Sequence, residues 1–234
     1  MTTLTKIARG GIYDHLGGGF FRYTTDRQWH TPYFEKVLYD NAQLLSIFAE
    51  ALRLGPDPLF QDAISDTITW LIRDMRNENG GFYASQDALL VQSNETSVGK
   101  HYLWRREEVK KHLSDEEYLL VETLYGLDKP ANLDNHWSLH RRDSYRSVVE
   151  RLSLQTETAN ELLAGAKEKL FLARQQRSAP RTDNTILTAW NGLLISGLVE
   201  AGTVMQRPEW LTIAQELADF IFTQCWDGKS LTAN

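Results

Sequence analysis

The feature that most narrows the fold is a helical hairpin written twice, 150 residues apart. Leu38, Ala42, Leu45, Ala49 and Leu52 recur at helical spacing along one face. Gly55-Pro56 stops that helix, and Asp57 before Pro58 reads as the cap and first-turn proline of the next. Its stripe is Phe60, Ile64, Ile68, Leu71 and Met75. The run Asp40-Asn41-Ala42-Gln43-Leu44-Leu45 then returns as Trp190-Asn191-Gly192-Leu193-Leu194. Trp70 has its counterpart in Phe220, and Asn79-Gly80-Gly81 is echoed by Asp227-Gly228-Lys229. Helix, break, helix and glycine turn in the same order predict stacked hairpins, as in a toroid or solenoid.

The rest of the chain is mostly helical too. Ser114 with Glu117 is a capping box opening a helix to Tyr125, with Gly126 suited to the left-handed position after it. Ala159, Leu163, Ala166 and Leu170 mark another helix. Residues 186–201 are apolar on nearly all sides, as in a helix packed among several neighbours. Pro208 opens a last helix with Trp210, Ala214, Leu217 and Ile221 on one face. Residues 129–143 have no period and read as a loop. Two short β-like runs stand at Phe82-Tyr83-Ala84 and His101-Tyr102-Leu103-Trp104. Residues 1–234 are read as one domain.

Charge and cysteine usage exclude several functions. The net charge is −6, with only short basic pairs such as Arg105-Arg106 and Arg141-Arg142, which argues against nucleic acid as the ligand. The lone Cys225 forms no internal disulfide, redox pair or cysteine-rich zinc site. Neither a signal peptide nor a membrane span is expected, so the localisation read from the sequence is cytoplasmic.

Chemistry concentrates near the amino terminus. Tyr13, Phe20, Phe21, Tyr23, Trp29, Tyr33 and Phe34 are interleaved with Asp14, His15 and Asp26, and Glu35 and Asp40 follow. Rings stack on the C–H faces of sugars while carboxylates bind hydroxyls, so this mixture suits a carbohydrate; the bland alternative is an aromatic core. Gly10-Gly11 and Gly17-Gly18-Gly19 lack the strand and the Lys-Ser/Thr of a phosphate loop and read as tight turns. Asp87 is a cavity acid or a turn former, and Asp183 a catalytic acid or a helix cap. His136 and His140 are four apart, but HExxH is missing, and no metal or cofactor is expected.

Two long segments resemble one family. They are Gly10-Gly11-Ile12-Tyr13-Asp14-His15-Leu16-Gly17-Gly18-Gly19-Phe20 and Pro32-Tyr33-Phe34-Glu35-Lys36-Val37-Leu38-Tyr39-Asp40-Asn41-Ala42. Gly80-Gly81-Phe82-Tyr83-Ala84-Ser85-Gln86-Asp87-Ala88, Leu139-His140 and Leu187-Thr188-Ala189-Trp190-Asn191-Gly192 follow in order. Together they resemble the spermatogenesis-associated protein 20-like family of thioredoxin-domain-containing proteins. The resemblance implies a mainly α fold, an (α/α)6 toroid of the six-hairpin glycosidase type with a short β-hairpin. It also implies a thioredoxin-like domain before this region, which the present chain does not contain. Three departures bear on activity: Tyr33 stands where the family has His, Leu89 and Leu90 replace acids, and Asp183-Asn184-Thr185 replaces Asp-Asp-Lys.

The expectation is a protein of glycosidase or sugar 2-epimerase type that binds a mono- or oligosaccharide. Asp14, His15, Glu35, Asp40 and Asp87 are the catalytic candidates, with His15 the imidazole for proton abstraction. Tyr13, Phe20, Trp29, Tyr33, Trp190, Asn191 and Asp183 are the binding candidates. The alternatives are a non-catalytic scaffold and a platform for a separate thioredoxin-like partner. A full ring of twelve helices needs roughly 300 residues or more. An incomplete ring with an apolar edge, prone to self-association, is therefore expected.

Overall fold

Both copies of the hairpin form as their stripes dictate. The computed structural model describes residues 1–92 and 95–233. Helix α1 covers Thr2–Arg9, and the short strands β1 (Tyr23–Thr24), β2 (Pro32–Tyr33) and β3 (Lys36–Val37) lead into helix α2, Leu38–Arg53. Helix α3, Pro58–Trp70, begins where Asp57 accepts a bond from the Leu59 N–H and Pro58 takes the first turn. Its last turn widens to a π-helical one over Leu71–Met75. The second copy is helix α8, Thr188–Val204, followed by α9, Pro208–Phe220, and a π-helical turn over Ile221–Cys225. The widened turn is therefore repeated at the same offset of 150 residues, a detail the apolar spacing does not show.

Between the copies lie the strands β4 (Ser85–Gln86), β5 (Leu89–Gln92) and β6 (Glu95–Val98). The helices α4 (Arg106–His112), α5 (Asp115–Tyr125), α6 (Tyr145–Arg151) and α7 (Thr156–Gln175) follow, then strand β7 (Thr182–Asp183). The Ser114–Glu117 capping box and the left-handed Gly126 delimit α5 as expected. β3, β4 and β7 form one antiparallel sheet in the order β3-β4-β7, and β5 and β6 form a hairpin. The side chains of Leu89 and Leu90, two departures from the family pattern, lie outside the described residues.

The strand positions read from sequence need correction. Phe82 makes only a single bridge, to Arg76, and Trp104 one to Trp137; the strands lie at Ser85–Gln86 and in the β5–β6 hairpin. The reason at Phe82 is that a side chain takes its backbone groups. The Asn191 Oδ1 accepts from the Phe82 N–H at 2.8 Å, and the Asn191 amide donates to the Phe82 carbonyl at 3.0 Å. Asn41, its counterpart, does the same to Phe20, at 2.6 and 3.0 Å. Each amide also donates to the carbonyl four residues back, Val37 or Leu187.

α2 packs along α8, with α3 and α9 each against its own partner, giving a mainly α arc of hairpins of the α/α-toroid type. At Gly197 the two inner helices approach so closely that a Cβ would sit 2.6 Å from the Ala42 carbonyl oxygen. One apolar cluster joins these four helices with the residues 7–21, and a second is built from α4 to α7 with Trp104, Leu127 and Leu139.

Asn41→Ala and Asn191→Ala each remove one partner of a buried backbone N–H and C=O. Each is expected to cost about 2–4 kcal/mol, the sum of lost bonds and stranded polar groups, in urea unfolding. Equal effects at the two positions would show that the repeat is also an energetic one.

Candidate functional site

The glycine-rich loop 10–19 builds a buried ion triad. Asp14 Oδ1 accepts from the backbone N–H of Leu16 and Gly17 at 3.1 and 3.0 Å and from Arg174 Nη1 at 2.7 Å. Its Oδ2 takes Lys36 Nζ at 2.7 Å. Lys36 also donates to the Gly18 carbonyl at 2.6 Å and lies 5.1–5.3 Å from the rings of Phe21, Trp70 and Tyr102. Burial pushes the Asp14 carboxyl up, but Arg174 and Lys36 outweigh it and hold the group well below the ordinary carboxylate range. Burial draws the Lys36 ammonium down to about 8, with Asp14 opposing. The glycines serve close packing: a Cβ at Gly19, where φ is +79°, would press into Trp70 at 2.7 Å.

Five residues read as site candidates thus lie in the interior. Asp14 is committed to the triad. His15 is 2% exposed, with Nε2 on the Gly10 carbonyl at 3.0 Å, and burial together with Arg141 holds its pKa well below the ordinary imidazole value. Tyr13 donates to Asp66 at 2.8 Å, and Phe20 stacks on Phe48 at 5.4 Å. Aromatics beside glycines look alike in a core and in a cleft, which is why the sequence could not separate them. Asn191 is the clamp on Phe82.

Near the start of α2 a different group collects at the surface. Glu35 accepts from Arg22 at 2.9 Å. Asp40, in the first turn of α2, has an Oδ2 that is buried and has no partner among the described residues. Burial raises its pKa to about 6; Arg22 opposes the shift and Glu35 adds to it. Tyr39 meets Trp190 edge to face, with ring centroids 4.8 Å apart. Trp190 occupies the place in α8 that Asp40 occupies in α2, so the repeat itself brings acid and ring onto neighbouring helices. Tyr33 stacks on Tyr23 at 5.0 Å across the β1–β2 pair.

The remaining candidates are dispersed around this group. Asp87 and Asp183 are carried by the β4–β7 ribbon, the Asp87 N–H donating to Arg181 O at 2.8 Å. Asp183 is exposed and accepts from the N–H and hydroxyl of Thr185, bonds that lower its pKa. It does not cap α8, whose N-cap is Leu187. Trp29, half-buried with φ of 67°, packs against the core and accepts from the Gly11 N–H at 2.7 Å. His136 bonds to Arg105, and His140 stacks on His30 at 4.2 Å; among the described residues no group of three or more His, Cys, Asp or Glu converges as metal ligands. None of the described helices is long and apolar enough to cross a membrane.

The sequence reading placed none of Arg22, Tyr39, Lys36 and Arg174 among the site candidates. Two had a legible signal. Arg174 extends the Ala159-Leu163-Ala166-Leu170 stripe by four residues, a charge on a buried face, and Lys36 interrupts an aromatic-rich run just before α2.

A hairpin repeat with a buried ion triad and a carboxylate–aromatic group at its helix starts defines an α/α-toroid type of protein. No family model matches the chain. Spermatogenesis-associated protein 20 from rat and from human are 36% and 34% identical to it over 249 residues, 97% of this chain and 32% of theirs. An uncharacterized protein of Caenorhabditis elegans is 32% identical, covering 99% of this chain and 34% of its own length. Nearly the whole chain is thus similar to one region of spermatogenesis-associated protein 20, and it spans about a third of the length of these relatives. Two solved structures overlap loosely at 14% identity: a D-mannose isomerase with a TM-score of 0.30, and cellobiose 2-epimerase from Spirochaeta thermophila with 0.31. Each covers 94% of this chain, which covers 50% and 51% of theirs; the architecture above rests on the helices themselves.

Because Asp40 binds its proton more tightly in the folded chain, its ionisation opposes folding as pH rises from the unfolded value of 3.8 through about 6. Asp40→Asn is expected to melt a few degrees higher than the parent at pH 7.5, with the difference vanishing near pH 4 in calorimetric scans. Asp14→Asn strands Lys36 and Arg174, and is expected to cost about 3–5 kcal/mol in denaturant unfolding.

Proposed function

We propose that the face formed by Glu35, Asp40, Tyr39 and Trp190 binds a carbohydrate, and that Asp40 is its acid/base group. The observation that carries this reading is the Asp40 carboxyl: half-buried, with its pKa raised to about 6, one oxygen unpartnered among the described residues, and next in the chain to Tyr39 of an aromatic pair. A carboxyl with that pKa can hold a proton and release it at physiological pH, as acid/base catalysis on a sugar requires. The Tyr39–Trp190 pair offers ring faces for C–H stacking, and Glu35 with Arg22 supplies an acceptor and donors for hydroxyls. The six-hairpin type of fold implied by the family resemblance is in keeping with a sugar ligand.

Calorimetric titration with a panel of mono- and disaccharides tests this. Saturable binding is expected, weakened about threefold to tenfold by Trp190→Ala, the range that lost ring stacking gives. Its pH profile should break near 6 in the parent and be flat in Asp40→Asn. Absence of heat at millimolar sugar, from chain shown to be folded, would refute the proposal.

A further inference from the structure

On the side of the small sheet where Lys36 and Gln86 pair, a cavity of about 420 Å³ opens towards the end of α7. Pockets of that size enclose small organic molecules. Among the described residues its wall carries Lys36, Arg174 and Arg177 against a single carboxylate, Asp74. Asp74 already accepts two bonds from Arg73, at 2.8 and 2.6 Å. Arg177 is likewise committed, to Glu108 and to the carbonyls of His101 and Leu103.

Lys36 and Arg174 stand apart. Their side chains are 2% and 5% exposed, and they share one carboxylate, Asp14. Among the described residues this buried group therefore has one positive charge in excess, which Asp74 offsets only in part because it also faces Arg73. Burying a cation without its counter-charge is costly, and an oxyanion on a guanidinium relieves that cost with short charge-assisted bonds. Donors remain to make them. Arg174 gives one of its five N–H groups to Asp14, and Lys36 gives two of its three to Asp14 and the Gly18 carbonyl. The guanidinium lies against the rings of Tyr102 and Phe171, at 5.2 and 5.4 Å, which fixes its plane.

We propose that this cavity is a binding site for a small organic molecule carrying an oxyanion, phosphate or carboxylate, seated on Arg174 and Lys36. It is distinct from the Asp40 face and does not depend on the sugar reading. The anion supplies the charge that Asp14 cannot share further, since its oxygens already accept four bonds.

Titration calorimetry of the intact chain with inorganic phosphate, sulfate, glucose 6-phosphate and glucuronate tests the site. Saturable binding of at least one of these, weakening as sodium chloride is added, is expected. Tighter binding of glucose 6-phosphate than of inorganic phosphate identifies a phosphate ester as the ligand class, and tighter binding of glucuronate identifies a carboxylate. Arg174→Gln should weaken binding by about tenfold or more. Gln86→Glu leaves the triad untouched and keeps an oxygen for the Trp70 indole, which now donates to Gln86 at 2.9 Å. It should abolish anion binding and raise the melting temperature of the anion-free chain, a gain that a purely structural role for the triad does not give. No saturable binding of any of the four at millimolar concentration, or unchanged affinity in Gln86→Glu, would overturn the proposal.

Discussion

The fold depends on the triad of Asp14, Lys36 and Arg174. Its members come from the glycine-rich loop, from β3 and from α7, and Asp14 and Arg174 are 160 residues apart in sequence. Leu170 and Ala166, on the same stripe of α7 as Arg174, belong to the second apolar cluster, whereas Phe21 and Trp70 beside Lys36 belong to the first. The triad thus ties the two cores together, alongside the Lys167–Asp66 ion pair and the stacking of His140 on His30. Charges buried this deeply are held by an opposite charge and by hydrogen bonds, which makes the geometry specific. It also sets the register of β3, and because α2 begins at the next residue, it sets where Tyr39 and Asp40 stand.

Most of the helical framework was legible in the sequence because it is written as periodicity. The stripes of α2, α3, α7 and α9, the Ser114 cap and the repeat of Asn41 at Asn191 all state a local preference that the tertiary structure keeps. The strands were not legible. Two residues of β3 or β4 carry no pattern of their own, and what orders them is pairing with partners dozens of residues away. The aromatic run 13–34 was misleading for a related reason. Composition records that rings and acids are concentrated there, not which side of the loop they face, so Tyr13, Asp14, His15 and Phe20 read like a cleft and fold into the core. Glu35 and Asp40 lie near Arg22, and Trp190 meets Tyr39, but Arg22 and Tyr39 are recognised as companions only once β1, β2 and α2 are assembled.

The repeat explains how a surface group can arise on a largely structural scaffold. Corresponding positions of the two inner helices carry different residues where the backbone plan is the same: Asp40 in one is Trp190 in the other, while Asn41 and Asn191 are kept. The amide kept in both copies has a mechanical task, and the neighbouring position differs between them. An acid on one inner helix and a ring on the other thus arise from one varied position of a repeated unit.

The direction of the two amide clamps has a consequence for synthesis. Each asparagine grips a phenylalanine that precedes it in the chain: Asn41 grips Phe20, and Asn191 reaches back 109 residues to Phe82. Neither latch can close before its own helix has left the ribosome, and by then the segment it closes upon has long been available. Assembly is accordingly vectorial, with the first hairpin locked early and the stretch between the hairpins waiting for α8. Until α8 is made, the carbonyl and N–H of Phe82 lack the partner that the finished fold gives them.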